Sequence, residues 1–407
     1  MADASEVVVV GGGVGGASLA FALAHAGIGV TVLEASAEFV DRVRGESMQP
    51  WGVKEARALG VEQVLLDAGA HVTSMWRQYM EGAGDVGDIP MALMIPDIPG
   101  SLNLRHPDAC QALLDAATAA GATVVRGVRD VVLMAGSTPV VTYATKGHAA
   151  ELRATLVVGA DGRASTIRKQ AGITLDRQAP ISYIAGLLVG GLDGVPDDHD
   201  VVAGEGDVFF LMFHQNGGRA RVYLCTGLSG QHRFSGRTGT EQFLAACEVS
   251  CYPWSEQVMA ATPAGPCANY AGDDTWTDTP FADGVVLIGD AAGHNDPIIG
   301  QGLSIALRDA RIVRDLILDG AHQSRAFVPY GEERVSRMEH VRFIADVLAV
   351  AQAEDADNRS ARRAMLAEEL AATDSEILEL LISAFAGPET IPQEALDPAI
   401  LERLRNA

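Results

Sequence analysis

The hydrophobic pattern near the N-terminus changes twice within about thirty residues, the length of a βαβ unit. Residues 6–10 form a short β-branched run, which is typical of a buried parallel strand. After a stretch of glycines, residues 17–26 are small, apolar and helix-forming, and Gly27 follows them as a helix-ending glycine. Residues 30–33 form a second apolar run. We therefore expect a strand, a helix and a second strand in this order.

The next part of the chain predicts one helix and several short strands. We expect a helix over 102–121 and a strand over 123–125. Three further runs predict a small sheet that returns to the parallel one, at 128–134, 139–145 and 152–158.

A different rhythm begins near residue 181. Two apolar runs, 208–214 and 221–226, flank Asn216-Gly217-Gly218, which is a hairpin signal. This pattern predicts an antiparallel layer inserted between parts of the parallel domain. From Leu303 onward the pattern is mostly helical.

The composition favours an ordered globular protein and excludes some partners. A length of 407 residues favours two domains, and 48% hydrophobic with 20% charged residues excludes a disordered chain. Acidic residues number 53 against 30 basic ones, a net charge of −23. Nucleic acids and anionic membrane surfaces attract basic patches, so we expect neither as a partner.

The cysteines and the N-terminal residues bear on location. The five cysteines contain no Cys-x-x-Cys pair, so we expect reduced thiols, no metal site and a cytoplasmic protein. The start MADASEVVVV has no basic region ahead of an apolar one, so we expect no signal peptide. No apolar run reaches the roughly 18 residues of a spanning helix, so we expect no membrane span.

The glycines at 11–16 match the dinucleotide-binding pattern G-x-G-x-x-G through Gly11, Gly13 and Gly16. Gly11 allows a tight turn, Gly13 lets backbone N–H groups approach a pyrophosphate, and Gly16 lets the helix pack close to the strand. Glu34 ends the second strand, 21 residues after Gly13 (34 − 13), where an acid accepts from ribose hydroxyls. A second match at 82–87 has no following helix pattern, and we expect a loop there.

Two later motifs complete the pattern. Residues 156–168 form a strand that runs into Asp161-Gly162 and a helix start, and residues 289–302 read GDAAGHNDPIIGQG. With the glycine loop, and in this order, they resemble the class A flavoprotein monooxygenases with the para-hydroxybenzoate hydroxylase fold, over about residues 6–320. Arg44 resembles the arginine that this family places near the flavin. Arg105 or His106 stands where the family has an arginine on a helix that touches FAD.

The resemblance implies an α/β fold. It consists of a Rossmann-like FAD-binding domain, an inserted antiparallel β-sheet substrate domain and a helical C-terminal region. The expected limits are 1–75, 100–170 and 268–320 for the FAD-binding domain, 76–99 and 171–267 for the substrate domain, and 321–407 for the C-terminal helices.

The resemblance also implies the FAD contacts. Asp290 accepts from the ribityl hydroxyls, because a carboxylate is an acceptor only. Pro297 and residues 300–302 border the isoalloxazine ring, with the positive end of the next helix aimed at it. Asp161 lies between the cofactor and the pyridine nucleotide, although a plain Asx-turn explains it equally well. The full expected set is Gly11, Gly13, Val14, Gly15, Gly16, Glu34, Ala35, Arg44, Arg105, His106, Asp161, Asp290, Pro297, Gly300, Gln301 and Gly302.

The implied reaction is a monooxygenation. NAD(P)H reduces FAD, and O₂ then gives a flavin hydroperoxide that hydroxylates or epoxidises a small aromatic or polyketide-like substrate. The expected partner is this small molecule, and the protein is a monomer or a homodimer. No residue is assigned as catalytic.

Substrate contacts are expected from the hairpin strands, at Phe210, Met212, His214 and Tyr223. The first three share one face of a strand by period two. A histidine at this place can hold or deprotonate a phenol, but a histidine that only packs in the sheet is the commoner case.

Two positions depart from the family pattern and leave alternatives open. Gly293 stands where the family has a histidine, and Ser304 where it has an asparagine. We expect Gly293 to open space beside the flavin. Gly293 is also typical of geranylgeranyl reductases and flavin-dependent halogenases, so a flavin-dependent reductase is the alternative enzyme. The halogenases' W-x-W-x-I-P element is matched only in part, around Trp276. A FAD-binding protein with a structural or sensory flavin is the non-enzymatic alternative.

Overall fold

Two eight-stranded sheets and one three-stranded sheet form the framework of residues 3–372 and 374–407, which the computed structural model describes. The strands are β1 (Asp3–Val10), β2 (Val30–Glu34), β3 (Ser47–Met48), β4 (His71–Thr73), β5 (Met75–Met80), β6 (Gly84–Ile89), β7 (Ser101–Asn103), β8 (Thr123–Arg126), β9 (Arg129–Met134), β10 (Val140–Thr145), β11 (His148–Gly159), β12 (Asp176–Gly190), β13 (His199–Glu205), β14 (Val208–Gln215), β15 (Arg219–Gly227), β16 (Thr262–Pro263), β17 (Ala268–Trp276), β18 (Phe281–Ala282) and β19 (Val285–Leu287). The α-helices are α1 (Val14–His25), α2 (Pro50–Leu59), α3 (Glu62–Asp67), α4 (His106–Ala119), α5 (Thr166–Gln170), α6 (Gly239–Ala245), α7 (Ser255–Met259), α8 (Gly302–Leu318), α9 (Val328–Gln352), α10 (Arg359–Ala371), α11 (Glu376–Ala386) and α12 (Ala399–Arg405).

The first sheet has a parallel centre in the order β8, β2, β1, β11 and β19. Val8 and Val9 of β1 are fully buried, because helices cover one face and the β9–β10 layer the other. Burial on both faces explains the continuous apolar run of this strand. The predicted βαβ unit and the small sheet that returns to it are both confirmed.

The second sheet is antiparallel apart from the β5–β13 pair, in the order β16, β12, β15, β14, β13, β5 and β6, with β17 on β12. The predicted hairpin is confirmed, since β14 and β15 pair in register around a turn with positive φ at Gly217 and Gly218. β17 belongs to this sheet, although the predicted domain limit at 268 lies ahead of it. The three-part division of the chain stays a prediction.

Two local predictions need correction. The helix expected from residue 102 begins at His106, because residues 101–103 pair in the three-stranded sheet and Pro107 favours the first turn. The second glycine match, expected as a loop, has residues 84–89 in strand β6, which lies at the edge of the sheet and pairs with β5. This glycine match leads into a strand and not into a helix, so it has no helix N-terminus that could bind a pyrophosphate. It is therefore not a second nucleotide site.

The C-terminal helices cover the second sheet on the side of the glycine loops. α9 packs on α8 and on the turn at 297–299, α10 packs on β5 and β6, and α11 packs on α2. They therefore close a space between the sheet and the loop 289–302. Among the described residues, no helix has both the length and the hydropathy that crossing a membrane requires.

Candidate functional site

The glycine loop between β1 and α1 combines two crowded glycines with an open one. Gly11 has a φ of 109°, and a Cβ there would lie 2.2 Å from the carbonyl oxygen of Ala160. A Cβ on Gly16 would lie 2.1 Å from the carbonyl oxygen of Gly11. A Cβ on Gly13 would meet no heavy atom within 4 Å. Gly13 therefore borders free space at the N-terminus of α1, where an anion is stabilised by the backbone N–H groups of residues such as Val14 and Gly15.

Glu34 lies beside this loop at the end of β2. Its Oε2 accepts from the backbone N–H of Gly12 at 2.7 Å, and its Oε1 accepts from that of Ser36 at 2.6 Å. A carboxylate has about four acceptor positions, so Glu34 can still accept from ribose hydroxyls. Ala35 is exposed, and its carbonyl oxygen accepts from Arg129 at 2.6 Å.

Asp290 lies in a single helical turn, Gly289–Ala292, directly after the first sheet. Its Oδ2 lies 3.4 Å from Nε of Arg163, and the two side chains are 35% and 29% exposed. No other side chain pairs with this carboxylate in the described ranges. Asp290 therefore keeps acceptor positions for the hydroxyls of a ligand.

Arg334 of α9 holds this loop from behind. Its guanidinium donates to three carbonyl oxygens of the loop, at 3.3, 3.1 and 2.9 Å, those of Gly289, Ala292 and Gly293. It also pairs with Asp309 at 3.1 Å, and Asp309 accepts from Arg337 at 2.6 Å. Burial would raise the pKa of Asp309, but the two guanidinium groups lower it below its ordinary value. A buried ionic cluster thus fixes the backbone that presents Asp290.

Gly293 does not open space, and our expectation for this position is wrong. Its φ is 115°, and a Cβ would lie 2.3 Å from the carbonyl oxygen of Thr275, so the backbone of β17 fills the place. His294 does not replace the missing histidine. Its Nδ1 lies 2.8 Å from Thr275 Oγ1 and its Nε2 lies 3.2 Å from Asp273 Oδ1, which fastens the loop to β17.

The two residues before Pro297 belong to a buried polar network. Asn295 donates to Asp274 at 2.7 Å, and Asp296 accepts from the N–H of Ile298 at 2.9 Å. Burial raises the pKa of Asp296 to about 7 and that of Asp274 to about 6. Because Asp296 caps the turn Pro297–Ile299, Pro297 is held at a fixed place on the loop.

The segment 300–302 presents backbone rather than side chains. Gly300 has a φ of 64°, and α8 begins at Gly302. The side chain of Gln301 is occupied, because it accepts from the indole of Trp51 at 2.7 Å and donates to two carbonyl oxygens. The first N–H groups of α8 have no hydrogen-bond partner among the described residues, as is usual at a helix N-terminus, and this end of the helix follows the loop directly.

Ser304 lies where α2 packs against α8. A Cβ on Gly52 of α2 would lie 2.2 Å from Ser304 Oγ, so α2 and α8 cross at these two residues. Ser304 is fully buried at this crossing, where α2 has a glycine opposite it.

Asp161 is a helix cap. Its carboxylate accepts from the N–H groups of Thr166 and Ile167, at 2.6 and 3.2 Å, and from Ser165 Oγ at 2.5 Å. These bonds occupy the side chain locally, but they come from residues 165–167 and not from the residue two positions on, so they are not those of an Asx-turn. Arg168 of the capped helix donates to the carbonyl oxygen of Ala291 at 3.0 Å and connects it to the loop of Asp290.

The segment around Arg44 is held by the second sheet. Arg221 is fully buried and pairs with Asp41 at 2.7 Å and with Glu46 at 2.9 Å. The hydroxyl of Tyr223 donates to the carbonyl oxygen of Arg44 at 2.8 Å. Tyr223, expected to contact substrate, thus has its hydroxyl committed to fixing this backbone.

Arg105 and His106 lie at the start of α4. The N–H of His106 donates to Glu46 at 3.1 Å, and Arg105 lies 3.4 Å from Asp108. Burial lowers the pKa of His106, so it is neutral near pH 7. Of the two, Arg105 is the permanent cation.

A pocket lies next to the turn 297–299, and its roughly 580 Å³ of non-atom space includes open solvent. Its walls are the second sheet on one side and the helices α9, α10 and α11 on the other. The lining residues are Gln49, Trp76, Gln78, Tyr79, Met80, Ile89, Val202, Phe209, Leu211, Ile298, Ile299, Gln301, Leu348, Gln352, Leu366, Leu381, Ala384 and Phe385.

The predicted hairpin residues face the other way. Phe210 and Met212 are fully buried in a second hydrophobic core, where Phe210 packs on Tyr252. Phe209 and Leu211, one residue earlier, line the cavity instead. The predicted face is therefore wrong at these two positions, because a shift of one residue exchanges the faces of a strand.

His214 packs within the sheet. Its ring lies 5.8 Å from that of His199, and burial, followed by His199, lowers its pKa to about 4. It is therefore neutral at pH 7. The packing alternative describes it better than a role with a phenol.

Comparison with known proteins gives the family. The family model described as "FAD binding domain" matches residues 4–342. The chain belongs to this family. The glycine loop, the turn of Asp161 and the loop of Asp290 all lie within the match. FAD as the cofactor and the α/β fold are thereby confirmed.

Relatives of known activity share about a quarter of the sequence. The chain is 26% identical to squalene monooxygenase SE1 of Panax ginseng over 342 residues, which cover 82% of this chain and 62% of the ginseng protein. It is 25% identical to 6-hydroxynicotinate 3-monooxygenase of Bordetella bronchiseptica, covering 83% of this chain and 90% of that protein. The chain thus spans less than two thirds of the ginseng relative.

Solved structures of other proteins share the fold. p-Nitrophenol 4-monooxygenase PnpA of Pseudomonas putida superposes with a TM-score of 0.77 at 20% identity, covering 97% of this chain and 99% of that one. This likeness confirms the predicted architecture.

Sequence reasoning missed the residues behind the site. Arg334, Arg337 and Asp309 are buried, yet their local sequences resemble the charged surface of ordinary helices. Their spacing gives no signal. Only a contact between α8 and α9 brings them together.

Proposed function

We propose that the chain is an FAD-dependent monooxygenase that uses NAD(P)H and O₂ to hydroxylate or epoxidise a small aromatic or polyketide-like molecule. The observation that supports it best is the apolar cavity beside the turn 297–299. Organic substrates need such a place next to the flavin, and the family relatives named above are monooxygenases. We further propose a cytoplasmic monomer or homodimer.

The residues present fit FAD. The open space at Gly13, at the N-terminus of α1, suits the pyrophosphate, Glu34 suits the ribose and Asp290 suits the ribityl chain. The backbone from Pro297 to Gly302 would border the ring, and Arg44 and Arg105 would add positive charge. Bound FAD supplies the redox chemistry and the activation of oxygen.

The chain's own residues would orient the substrate beside the flavin and exclude water from the cavity. The N-terminus of α8 favours negative charge at the ring edge that it faces. Ile298 and Ile299 line the cavity at its junction with the loop and exclude water from it. Trp76, Phe209 and Phe385 offer aromatic faces that orient a flat substrate.

The test is a reaction of the FAD-loaded protein with NADH or NADPH and candidate substrates under ¹⁸O₂. We expect oxygen uptake and a product that gains one ¹⁸O atom. A product that gains two hydrogens without oxygen uptake would favour the reductase. A flavin that neither NADH nor NADPH reduces, with any candidate present, would favour a structural or sensory flavin.

A further inference from the structure

Three of the four glutamines that line this mainly apolar cavity have NH₂ groups without a hydrogen-bond partner among the described residues, whereas the fourth, Gln301, is paired. Gln49, Gln78 and Gln352 line it, and their exposed fractions are only 1%, 6% and 1%. A buried carboxamide without a partner is unfavourable, so such groups normally find one. Here the NH₂ groups make no hydrogen bond to the described residues and remain accessible from the cavity, so water or a ligand in the cavity can accept from them.

Gln352 presents its NH₂ group. Arg363 Nε lies 3.0 Å from Gln352 Oε1, and because a guanidinium only donates, the carboxamide oxygen must face Arg363. No residue in the described ranges pairs with the NH₂ group. A Cβ on Gly204 would lie 2.3 Å from Gln352 Oε1, so the sheet has a glycine where this side chain approaches.

Gln49 presents its NH₂ group nearer the flavin loop. Its Oε1 accepts from Ser101 Oγ at 3.2 Å. Its Nε2 lies 3.6 Å from the place that a Cβ on Gly300 would take, so it lies beside the segment 300–302. Gln78 lies on the same face of β5 as Trp76 and Met80, and it makes no side-chain hydrogen bond within the described residues.

No charged side chain lines this cavity in the part of the chain that the structure describes. The guanidinium N–H groups of Arg363, behind Gln352, already have acceptors. They donate to Gln352 and to the carbonyl oxygens of Gly206 and Val208. A carboxylate that entered would lose its water without gaining a cation, which is strongly unfavourable. A carbonyl oxygen would instead pair with a glutamine NH₂ group.

We propose that the cavity binds an uncharged, largely apolar molecule whose carbonyl-type acceptors accept hydrogen bonds from the NH₂ groups of Gln49, Gln78 and Gln352. We further propose that it rejects carboxylates. This inference rests on the proposed function for its meaning as substrate selection. Its test does not, because binding to the oxidised, FAD-loaded protein requires neither NAD(P)H nor turnover.

The test uses three probes of nearly equal shape, 2-acetylnaphthalene, 2-isopropylnaphthalene and 2-naphthoate. Their dissociation constants are measured from the change in flavin absorbance and by calorimetry. We expect 2-acetylnaphthalene to bind best and 2-naphthoate to bind about tenfold or more weakly. Binding of 2-naphthoate as tightly as the ketone, or failure of all three probes to bind, would overturn the proposal.

Substitution of Gln78 assigns the effect to the cavity. Gln78→Leu removes a carboxamide that has no protein partner, so the fold loses no hydrogen bond. We expect the preference for the ketone over the isopropyl probe to shrink about threefold to tenfold. The matched control is Gln242→Leu, on the exposed surface of α6, which should leave the preference unchanged. An unchanged preference in Gln78→Leu would contradict the proposal that this glutamine recognises the carbonyl oxygen of the ligand.

Failure of this inference differs from failure of the proposed function. If the protein prefers the neutral ketone but transfers no oxygen, the proposed specificity of the cavity is supported and the proposed monooxygenase activity is contradicted. If it transfers oxygen to an anionic substrate, the monooxygenase activity is supported and the proposed specificity is contradicted.

Discussion

Arg334 donates to the carbonyl oxygen of Gly293 across 2.9 Å, from a helix that follows the whole nucleotide-binding region in sequence. The same guanidinium pairs with Asp309, which accepts from the N–H of Gly289 at 2.8 Å. Gly289 and Gly293, on either side of the turn that carries Asp290, are therefore tied to one buried ion pair. The cofactor loop depends on the C-terminal helices for its shape.

Removal of the Arg334 charge should weaken both the fold and FAD binding. Arg334→Met leaves Asp309 with one cation instead of two and three loop carbonyls without a donor, so we expect a loss of roughly 3–5 kcal/mol in the free energy of unfolding. Urea unfolding with and without FAD measures it. The control is Arg325→Met at an exposed position. A stability equal to the wild type would contradict the bracing role.

Asp290→Asn should separate cofactor binding from stability. Asp290 is partly exposed and its pair with Arg163 is loose at 3.4 Å, so the apo-protein should change by less than about 1 kcal/mol. FAD affinity should fall about tenfold or more, since an acceptor-only group becomes half donor. Titration of the apo-protein with FAD, followed by flavin fluorescence, gives the ratio. The idea fails if affinity is retained.

Two glycines of one loop should respond in opposite ways. A Cβ on Gly13 meets no protein atom, so Gly13→Ala should keep the apo-protein stable and weaken FAD binding. A Cβ on Gly16 lies 2.1 Å from the carbonyl oxygen of Gly11, so Gly16→Ala should destabilise the apo-protein by about 1–3 kcal/mol. Thermal unfolding and FAD titration of both variants check this. Tight FAD binding by Gly13→Ala would place the pyrophosphate elsewhere.

Asp200 should make stability depend on pH. Burial raises its pKa from 3.8 to about 7, although Thr73 and Asn103 donate to its carboxylate at 2.9 and 2.7 Å. Between pH 3.8 and about pH 7, the folded state keeps a proton on Asp200 that the unfolded state has released. The contribution of Asp200 to stability therefore falls as pH rises through this range and is flat above about pH 7.

Asp200→Asn removes this titration and keeps both contacts, because an amide can accept from Asn103 and donate to Thr73. Relative to the wild type, the variant should gain stability as pH rises through the same window, by up to about 4 kcal/mol. Unfolding curves at a series of pH values measure the difference. A difference in the free energy of unfolding that stays constant across this pH range would show that burial does not raise the pKa of Asp200.

Much of the fold could be predicted because its signals are local. The apolar run of β1, the spacing of Gly11, Gly13 and Gly16, and the acid at Glu34 all lie within one short stretch. The hairpin of β14 and β15 follows from two apolar runs around Asn216-Gly217-Gly218, since the turn requires positive φ. The order of these motifs was enough for the family and the cofactor.

Other features depend on what packs against each residue. Which face of β14 meets the cavity depends on the helices above it, so Phe209 and not Phe210 lines the wall. The place beside Gly293 is filled by β17, which is close in space and not in the local pattern. Arg334 and Gln352 are distant in sequence from the loops they serve. The sequence by itself determined the nucleotide-binding unit and its cofactor, because backbone conformation and period are properties of neighbouring residues. Only the tertiary structure decided the cavity's polarity and the bracing of its loop, because burial and pairing are properties of residues that meet across the fold.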